Sequence, residues 1–221
     1  MSKFKVYYTD YNYQNKSIEQ KIFDDAGIEV IFADKSLGRK ELIEFCKDAD
    51  GLITTYTVLD EEFFSQTPNC KIAVRSGIGY NNIDVEAATK RNIMVANVRD
   101  YCVEDVADHA VALTLTLIRK IPHIIDCVKN KHSWTVNDCR PILRISSLNI
   151  CLYGLGAIGK DYAKKLQAFG TKVYAYDPFV SDEEFAKLGI TKVDTVVELA
   201  KLADIFSIHT PLTDETEKSV N

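Results

Sequence analysis

The sequence has no hydrophobic run long enough to cross a bilayer. Although 46% of its 221 residues are hydrophobic, the longest apolar stretch, residues 110–118, is interrupted by threonines. It is far shorter than the roughly 20 residues of a membrane-spanning helix. The first residues lead directly into a strand-like pattern and lack the layout of a signal peptide. We therefore predict a cytoplasmic protein that spans no membrane.

A basic stripe is also missing. The formal net charge is −5, and no segment concentrates lysine and arginine. Proteins that bind nucleic acid without sequence preference depend on such clusters to contact phosphates. The composition therefore argues against nucleic acid as a partner.

The six cysteines form neither a CxxC pair nor a set with the spacing of zinc ligands. They are Cys46, Cys70, Cys102, Cys127, Cys139 and Cys151. Several lie in apolar stretches, where a thiol behaves as a small hydrophobic group. We predict reduced thiols, as in a cytosolic protein, and no metal site, with disulfides as the alternative.

Glycine is scarce, because ten residues out of 221 is below the average of roughly 7%. Half of the glycines fall in two clusters, Gly77 with Gly79, and Gly154 with Gly156 and Gly159. Glycine is needed where the backbone adopts an unusual conformation or closely approaches another group. The two clusters are therefore candidate binding loops.

Strand-like and helix-like segments alternate through the first hundred residues. Strands are predicted over residues 5–9, 29–33, 51–55, 71–75 and 93–97, and helices over residues 16–26, 39–47, 61–65 and 85–91. Such alternation predicts βαβ units and a parallel sheet. Because five strands complete a flavodoxin-like layer, residues 1–99 are predicted to form a first α/β domain.

A long helix over residues 101–119 opens a second predicted domain, residues 100–221. Its apolar residues cover more than one face, which predicts burial on two sides. A helix after Pro122 and an irregular connection follow, and then strands over 149–153, 171–176 and 204–209 alternate with helices over 157–169, 182–188 and 195–202. A doubly wound dinucleotide-binding sheet has about six strands. With four strands at most, we expect an incomplete Rossmann-type domain whose C-terminal half is missing.

The second glycine cluster is a GxGxxG motif between an apolar strand and an amphipathic helix. In this setting Gly154 permits a tight turn, Gly156 lets the backbone approach a pyrophosphate, and Gly159 lets the helix pack closely on the strand. Free N–H groups and the helix dipole favour phosphates at the helix N-terminus. The motif therefore predicts dinucleotide binding.

An acidic residue follows the motif at the distance that ribose binding requires. Asp177 lies 18 residues after Gly159, just past the next predicted strand. A carboxylate at this place accepts hydrogen bonds from ribose hydroxyls and repels a 2′-phosphate, so NAD is favoured over NADP. The alternative is that Asp177 caps a helix before Pro178.

The first glycine cluster follows a predicted buried strand. Gly77 and Gly79 are expected to expose backbone N–H groups at the carboxyl end of the sheet, where open α/β sheets bind ligands. Such an arrangement suits a carboxylate, and a simple turn is the alternative. The neighbouring Arg75 either attracts an anion or merely ends the strand.

Five stretches of the sequence resemble the D-isomer-specific 2-hydroxyacid dehydrogenases, which include phosphoglycerate dehydrogenase and the C-terminal-binding-protein relatives. They are RSGIGYNNIDVEAATKRNIMVANV (75–98), YCVEDVADHAVAL (101–113), GLGAIGK (154–160), YDP (176–178) and HTPLTDETEKSVN (209–221). They occur in a consistent order over nearly the whole chain. The stretch NVRDYCVEDVADHA (97–110) is most similar to the bacterial C-terminal-binding-protein-like subgroup.

The resemblance implies an NAD-dependent oxidoreductase that transfers hydride between NAD(H) and a small 2-oxo or 2-hydroxy acid. The first domain would bind the substrate through Arg75, Ser76, Gly77, Ile78 and Gly79. The cofactor would contact Ile78, Val106, Gly154, Gly156, Ala157, Ile158, Gly159, Asp177, His209, Thr210 and Pro211. The helix over residues 101–119 would join two copies into a homodimer.

The resemblance assigns no catalytic residue within this chain. In the family, the arginine, glutamate and histidine of the reaction lie downstream of the segment that corresponds to residues 209–221. None of His109, His123, His132 and His209 is predicted to take over proton transfer. We therefore expect a truncated and catalytically incomplete chain. The alternative function is an NAD-sensing, dimerising interaction module of the corepressor type.

Overall fold

The computed structural model describes residues 4–220. The chain divides into two compact units, Met1–Tyr101 and Cys102–Asn221, and each unit has its own parallel sheet. Within residues 4–220, no helix combines the length and the hydropathy that crossing a membrane requires.

The first unit alternates strands and helices from its first described residues onward. The elements are β1 (Lys5–Tyr8), α1 (Ser17–Asp25), β2 (Glu29–Phe32), α2 (Arg39–Phe45), β3 (Gly51–Thr54), α3 (Glu61–Ser65), β4 (Ile72–Arg75), α4 (Val85–Lys90) and β5 (Met94–Asn97). The side chains of Asp60 and Asp84 cap α3 and α4. Gly27, at φ 70°, follows the end of α1.

The five strands of this unit form one parallel sheet in the order β2-β1-β3-β4-β5. This is the flavodoxin-like order, so the fold predicted for the first domain is confirmed. Ile43, Phe63 and Phe64 from the helices pack in one core with Leu52 and Ala73 from the central strands. Because all strands are parallel, the loops after β1, β3 and β4 lie at the same carboxyl edge.

The second unit begins with two helices and continues as a second α/β sheet. Its elements are α5 (Val103–Ile118), α6 (Ile121–Lys129), β6 (Asn149–Tyr153), α7 (Ala157–Gln167), β7 (Lys172–Tyr176), α8 (Asp182–Leu188), β8 (Thr191–Lys192), α9 (Val196–Leu202) and β9 (Ile205–Ile208). The parallel strand order is β8-β7-β6-β9. This order matches the first four strands of the dinucleotide-binding fold, as predicted. The short strand β8 was not predicted, because its two residues are polar and exposed.

Helix α5 differs from its prediction. It is shorter than residues 101–119, and only one side is buried, with Ala107 and Thr114 innermost. Val106, Leu113 and Leu117 are 41%, 52% and 67% exposed and form one stripe along the helix. The prediction of burial on two sides is wrong for the single chain, because within this unit the helix packs chiefly against α7. An exposed apolar stripe remains.

Candidate functional site

The three glycines of the loop between β6 and α7 meet different structural needs. Gly154 has φ 96°, and a Cβ there would lie 2.8 Å from the backbone of His209. At Gly159 a Cβ would lie 2.6 Å from the carbonyl oxygen of Gly154. At Gly156, by contrast, a Cβ would have no neighbour within 4 Å. The fold therefore requires the first and third glycines, whereas the open side of Gly156 has room for a ligand.

Helix α7 begins directly at this loop. Gly156 is its N-cap, and no side chain within residues 4–220 accepts hydrogen bonds from its first N–H groups. Gly156 and Ala157 are both exposed. Unpaired N–H groups and the dipole of this 11-residue helix favour an anion at its N-terminus. The geometry suits a phosphate group.

Asp177 connects the end of β7 to the glycine loop. Its Oδ2 accepts a hydrogen bond from the backbone N–H of Leu155 at 2.8 Å, and its Oδ1 accepts one from Phe179 at 2.9 Å. The following helix α8 is capped by Ser181, so the alternative in which Asp177 caps a helix is wrong. A carboxylate has about four acceptor positions, so Asp177 can still bind ligand hydroxyls.

A cavity of about 640 Å³ lies at the carboxyl ends of β6, β7 and β9. Open α/β sheets bind ligands at this edge, where the strand order reverses. Six of the predicted cofactor residues line it, namely Gly154, Gly156, Asp177, His209, Thr210 and Pro211. The lining residues that were not predicted are Tyr153, Tyr176, Pro178, Phe179, Val196, Thr213, Glu215, Thr216 and Ser219.

Four of the nine unpredicted residues belong to the turn that follows β9. Thr216 Oγ1 donates a hydrogen bond to the carbonyl oxygen of Pro211 at 2.6 Å and accepts one from the backbone N–H of Thr213 at 2.8 Å. The spacing of Thr213 and Thr216 was the sequence signal from which this turn could have been predicted. Glu215 adds a second carboxylate to the cavity wall, and a hydrogen bond with Thr213 lowers its pKa.

His209 is fixed by residues of its own unit. Its backbone N–H donates to the carbonyl oxygen of Tyr153 at 2.7 Å, and its Nε2 lies 2.9 Å from Oγ of Ser207. Its ring centroid is 5.0 Å from that of Tyr162. Burial lowers the pKa of the imidazole, so His209 is neutral at pH 7.

The other predicted cofactor residues do not line this cavity. Ala157, Ile158 and Gly159 begin α7, and the side chain of Ile158 packs against the core of the second unit. Val106 lies in the exposed stripe of α5, and Ile78 belongs to the first unit. Their contacts with the cofactor stay predictions.

The loop after β4 presents two free N–H groups. The N–H of Gly77 donates to the carbonyl oxygen of Arg75 at 2.9 Å, so the expectation that Gly77 exposes its N–H is wrong. The N–H groups of Ile78 and Gly79 have no hydrogen-bond partner within residues 4–220. Asn97 Nδ2 donates to the carbonyl oxygen of Ile78 at 2.7 Å and fixes the loop from β5. The two free donors suit a carboxylate.

Arg75 lies over this loop. Its guanidinium packs directly against Gly77, because a Cβ at that position would be 1.4 Å from Nη1 of Arg75. The Nε of Arg75 is buried without a hydrogen-bond partner, and no ion pair in the described part of the chain includes this residue. An unpaired guanidinium beside free N–H groups favours binding of an anion.

Asp10, which the sequence reasoning did not select, supports the same edge of the sheet. Its carboxylate accepts hydrogen bonds from the consecutive N–H groups of residues 55–57 at 2.6–3.1 Å. Burial raises the pKa of Asp10, but the hydrogen bonds from this loop outweigh it, and the pKa lies below its ordinary value. Thr54, at the start of the loop, accepts a hydrogen bond from the N–H of Ser76 at 2.7 Å. The loop after β3 therefore supports the loop after β4.

One of the cysteines contacts a histidine, since Sγ of Cys127 lies 3.6 Å from Nε2 of His123. All six have free thiols, and burial raises the pKa of Cys46 to about 12 and those of Cys70 and Cys151 to about 11. These three thiols are therefore protonated at pH 7 and unreactive. Over residues 4–220, no cluster of three or more His, Cys, Asp or Glu side chains could hold a metal ion.

Similarity to known proteins extends over most of the chain. Residues 9–216 match the sequence profile of the D-isomer specific 2-hydroxyacid dehydrogenase, catalytic domain. The chain belongs to this family. The family identified from the five sequence stretches is thereby confirmed.

Several 2-hydroxyacid dehydrogenases resemble the chain in sequence or in structure. The D-3-phosphoglycerate dehydrogenase of Mycobacterium bovis is 36% identical over 179 residues, which are 80% of this chain and 33% of that protein. The enzyme of the same name from Methanocaldococcus jannaschii is 34% identical over 197 residues, 89% of this chain and 37% of that protein. D-lactate dehydrogenase from Aquifex aeolicus, complexed with NAD and lactic acid, has a TM-score of 0.84 at 27% identity and covers 96% of this chain and 62% of its own. This chain thus spans about a third of the length of these phosphoglycerate dehydrogenases.

Proposed function

We propose that the protein is an NAD(H)-dependent oxidoreductase that interconverts a 2-oxo acid and a D-2-hydroxy acid. The main support is the cavity of the second unit, where the open side of Gly156, the Asp177 carboxylate and residues 209–211 come together. Family membership supports the same reaction, and the similar Aquifex aeolicus enzyme was solved with NAD and lactic acid.

NAD(H) fits the residues of the second unit. Gly156 and the first N–H groups of α7 would hold the pyrophosphate, and Asp177 would accept hydrogen bonds from the adenosine ribose. Bound NAD(H) would supply the hydride acceptor or donor. Asp177 and Glu215 both place negative charge on the cavity wall, which disfavours a 2′-phosphate. We therefore infer NAD rather than NADP.

The first unit offers the groups that a small 2-oxo acid needs. The N–H groups of Ile78 and Gly79 are free to bind its carboxylate, and the unpaired Arg75 adds positive charge. We accordingly assign residues 1–99 to substrate binding and residues 100–221 to cofactor binding.

The assembly and location that we infer depend on two further features. The exposed apolar stripe of α5 favours a homodimer formed through this helix. The free thiols are typical of a protein in the reducing cytoplasm.

The direct test of the function measures the loss of NADH absorbance when a form of the protein that includes the family's catalytic arginine, glutamate and histidine is given a panel of 2-oxo acids. We expect reduction of at least one 2-oxo acid to the D-2-hydroxy acid, with an efficiency at least about tenfold lower for NADPH. In Arg75→Ala we expect a higher KM for the 2-oxo acid and an unchanged Kd for NADH, because Arg75 belongs to the substrate loop. A protein that binds NADH but reduces no 2-oxo acid would contradict the proposal.

A further inference from the structure

A cysteine and a histidine face each other on helix α6. Cys127 lies four residues after His123, so both side chains project from the same side of the helix. The Sγ of Cys127 lies 3.6 Å from Nε2 of His123, a hydrogen-bond distance for the large sulfur atom. The pair lies outside the dinucleotide cavity and shares no residue with it.

The second partner of the same nitrogen fixes the direction of this hydrogen bond. Nε2 of His123 also lies 2.9 Å from the carbonyl oxygen of Asp138. Because a carbonyl oxygen can only accept, Nε2 carries a proton. The N–H is therefore shared between this oxygen and Sγ of Cys127, and the sulfur is an acceptor. At Cys70, by contrast, the thiol donates to the carbonyl oxygen of Ile72 at 3.5 Å.

An N–H group that points at sulfur favours the thiolate of Cys127. Hydrogen bonds to a charged acceptor are stronger than those to a neutral one, so the donor stabilises the negatively charged form more than the thiol. The thiolate is the nucleophilic form of cysteine, and an adjacent imidazole is a common means of activating it. His123 is exposed, so its ring can exchange protons with water.

The sulfur of this pair lies beside an apolar cavity of about 320 Å³. Cys127 itself is only 5% exposed. The apolar part of the wall comes from α6 and the segment after it, namely Ile124, Val128, Trp134 and Val136. Trp134 and Val136 are 87% and 70% exposed, so the cavity meets solvent on their side. The wall suits a small apolar molecule, and a flat one can stack on the indole ring.

Hydrogen bonds hold the segment after α6 against the helix. The N–H of Ser133 donates to the carbonyl oxygen of Cys127 at 3.0 Å. The hydroxyl of Ser133 donates to the carboxylate of Asp138 at 2.6 Å. The cavity is therefore formed within the single chain, with the thiol and its N–H donor already in place.

We propose that Cys127 is a site of covalent modification by small apolar α,β-unsaturated carbonyl compounds, with His123 stabilising the thiolate. The thiol first releases its proton to water. The sulfur then forms a bond to the β carbon, the C=C π bond breaks, and its electron pair passes to the α carbon. The α carbon takes up one proton from water, so the addition requires no oxidant or reductant. The site does not depend on the proposed function.

The test measures how fast each cysteine of the 221-residue chain reacts with N-phenylmaleimide, by mass spectrometry of its peptides. Cys102 and Cys139 are more exposed than Cys127, so exposure alone predicts that they react first. We expect Cys127 to react fastest instead. Cys139 is the internal control, because it lines the same cavity and no hydrogen bond joins it to an imidazole within residues 4–220.

Substitution of the histidine tests its contribution. His123→Phe removes the N–H donor, so we expect the rate at Cys127 to fall at least about tenfold and the rate at Cys139 to stay unchanged. His109→Phe, at an exposed histidine of α5, is the matched control and should change neither rate. If His123→Phe does not fold, His123→Ala removes the same donor, with the same decrease expected.

A charged reagent tests the apolar wall. 3-Maleimidopropionic acid has the same reactive ring but carries a carboxylate in place of the phenyl group. Relative to Cys102, we expect Cys127 to prefer N-phenylmaleimide over this acid by at least about tenfold, because the wall offers the carboxylate no solvation. The proposal is overturned if Cys127 reacts more slowly than Cys102 and Cys139, if removal of the His123 donor leaves its rate unchanged, or if it shows no preference between the reagents.

Discussion

At Gly159, the close approach of two backbone segments decides which residue the position accepts. A methyl group there would lie 2.6 Å from the Gly154 carbonyl oxygen, which belongs to backbone and cannot rotate away. We expect Gly159→Ala to lower the free energy of unfolding by about 1–3 kcal/mol, measured by urea denaturation. Gly156→Ser is the control, because its Cβ has no neighbour within 4 Å and serine is a favourable N-cap. Equal losses of stability in the two variants would contradict this explanation.

At the residue scale, the sequence predicts best those positions whose role is set by the local backbone. The three glycines of the loop after β6 follow from the motif and its neighbouring strand and helix. The roles of Asp10 and Tyr162 do not follow from any sequence motif, because their hydrogen-bond partners lie about 45 residues away along the chain. A lone aspartate after a strand or a tyrosine inside a helix is common, so only the folded structure shows what each residue binds.

At the scale of the element, the apolar stripe of α5 is the surface whose role can be tested most directly. Val106, Leu113 and Leu117 are spaced by seven and four residues and are exposed in the single chain. If this stripe joins two copies, Leu113→Glu with Leu117→Glu should raise the dimer dissociation constant by at least about tenfold, since each buried leucine contributes about 1.5–3 kcal/mol. Light scattering after size exclusion would measure the change.

The control for this experiment is Ala112→Glu, which adds the same charge at an exposed position on another face of α5. It should leave the dimer unchanged. A protein that is monomeric before any substitution, or a double variant that still dimerises with the original dissociation constant, would contradict the assignment of the interface to this helix.

The sequence predicts where helices and strands begin and end better than it predicts which neighbours cover their faces. The predicted strands and helices of both units lie within about two residues of the observed ones wherever apolar periodicity is strong. Strand β8 escaped prediction because Thr191 and Lys192 show no apolar alternation and join the sheet only through β7. The sequence did not predict that α5 is buried on one side only, because periodicity shows which faces of a helix are apolar but not which neighbours cover them.

At the scale of the whole molecule, each parallel sheet presents its candidate binding groups at the carboxyl edge. The first sheet presents the free N–H groups of Ile78 and Gly79 with Arg75, and the second presents the glycine loop with Asp177. Strand–helix alternation predicts that the candidate binding loops lie at the carboxyl edge of each sheet, because every βα loop of a parallel sheet lies at that edge. The composition of the cavity wall needed the folded chain, since the turn after β9 adds Glu215 through contacts that periodicity does not describe.

Cofactor binding by the second unit is the central claim, and calorimetric titration of NADH into the 221-residue chain tests it most directly. We predict saturable binding at one site per chain. Gly156→Ser should weaken it at least about tenfold without loss of fold, because the added side chain occupies the open space where the pyrophosphate would lie. Absence of saturable binding by the unmodified chain, or equal affinity in Gly156→Ser, would contradict the claim.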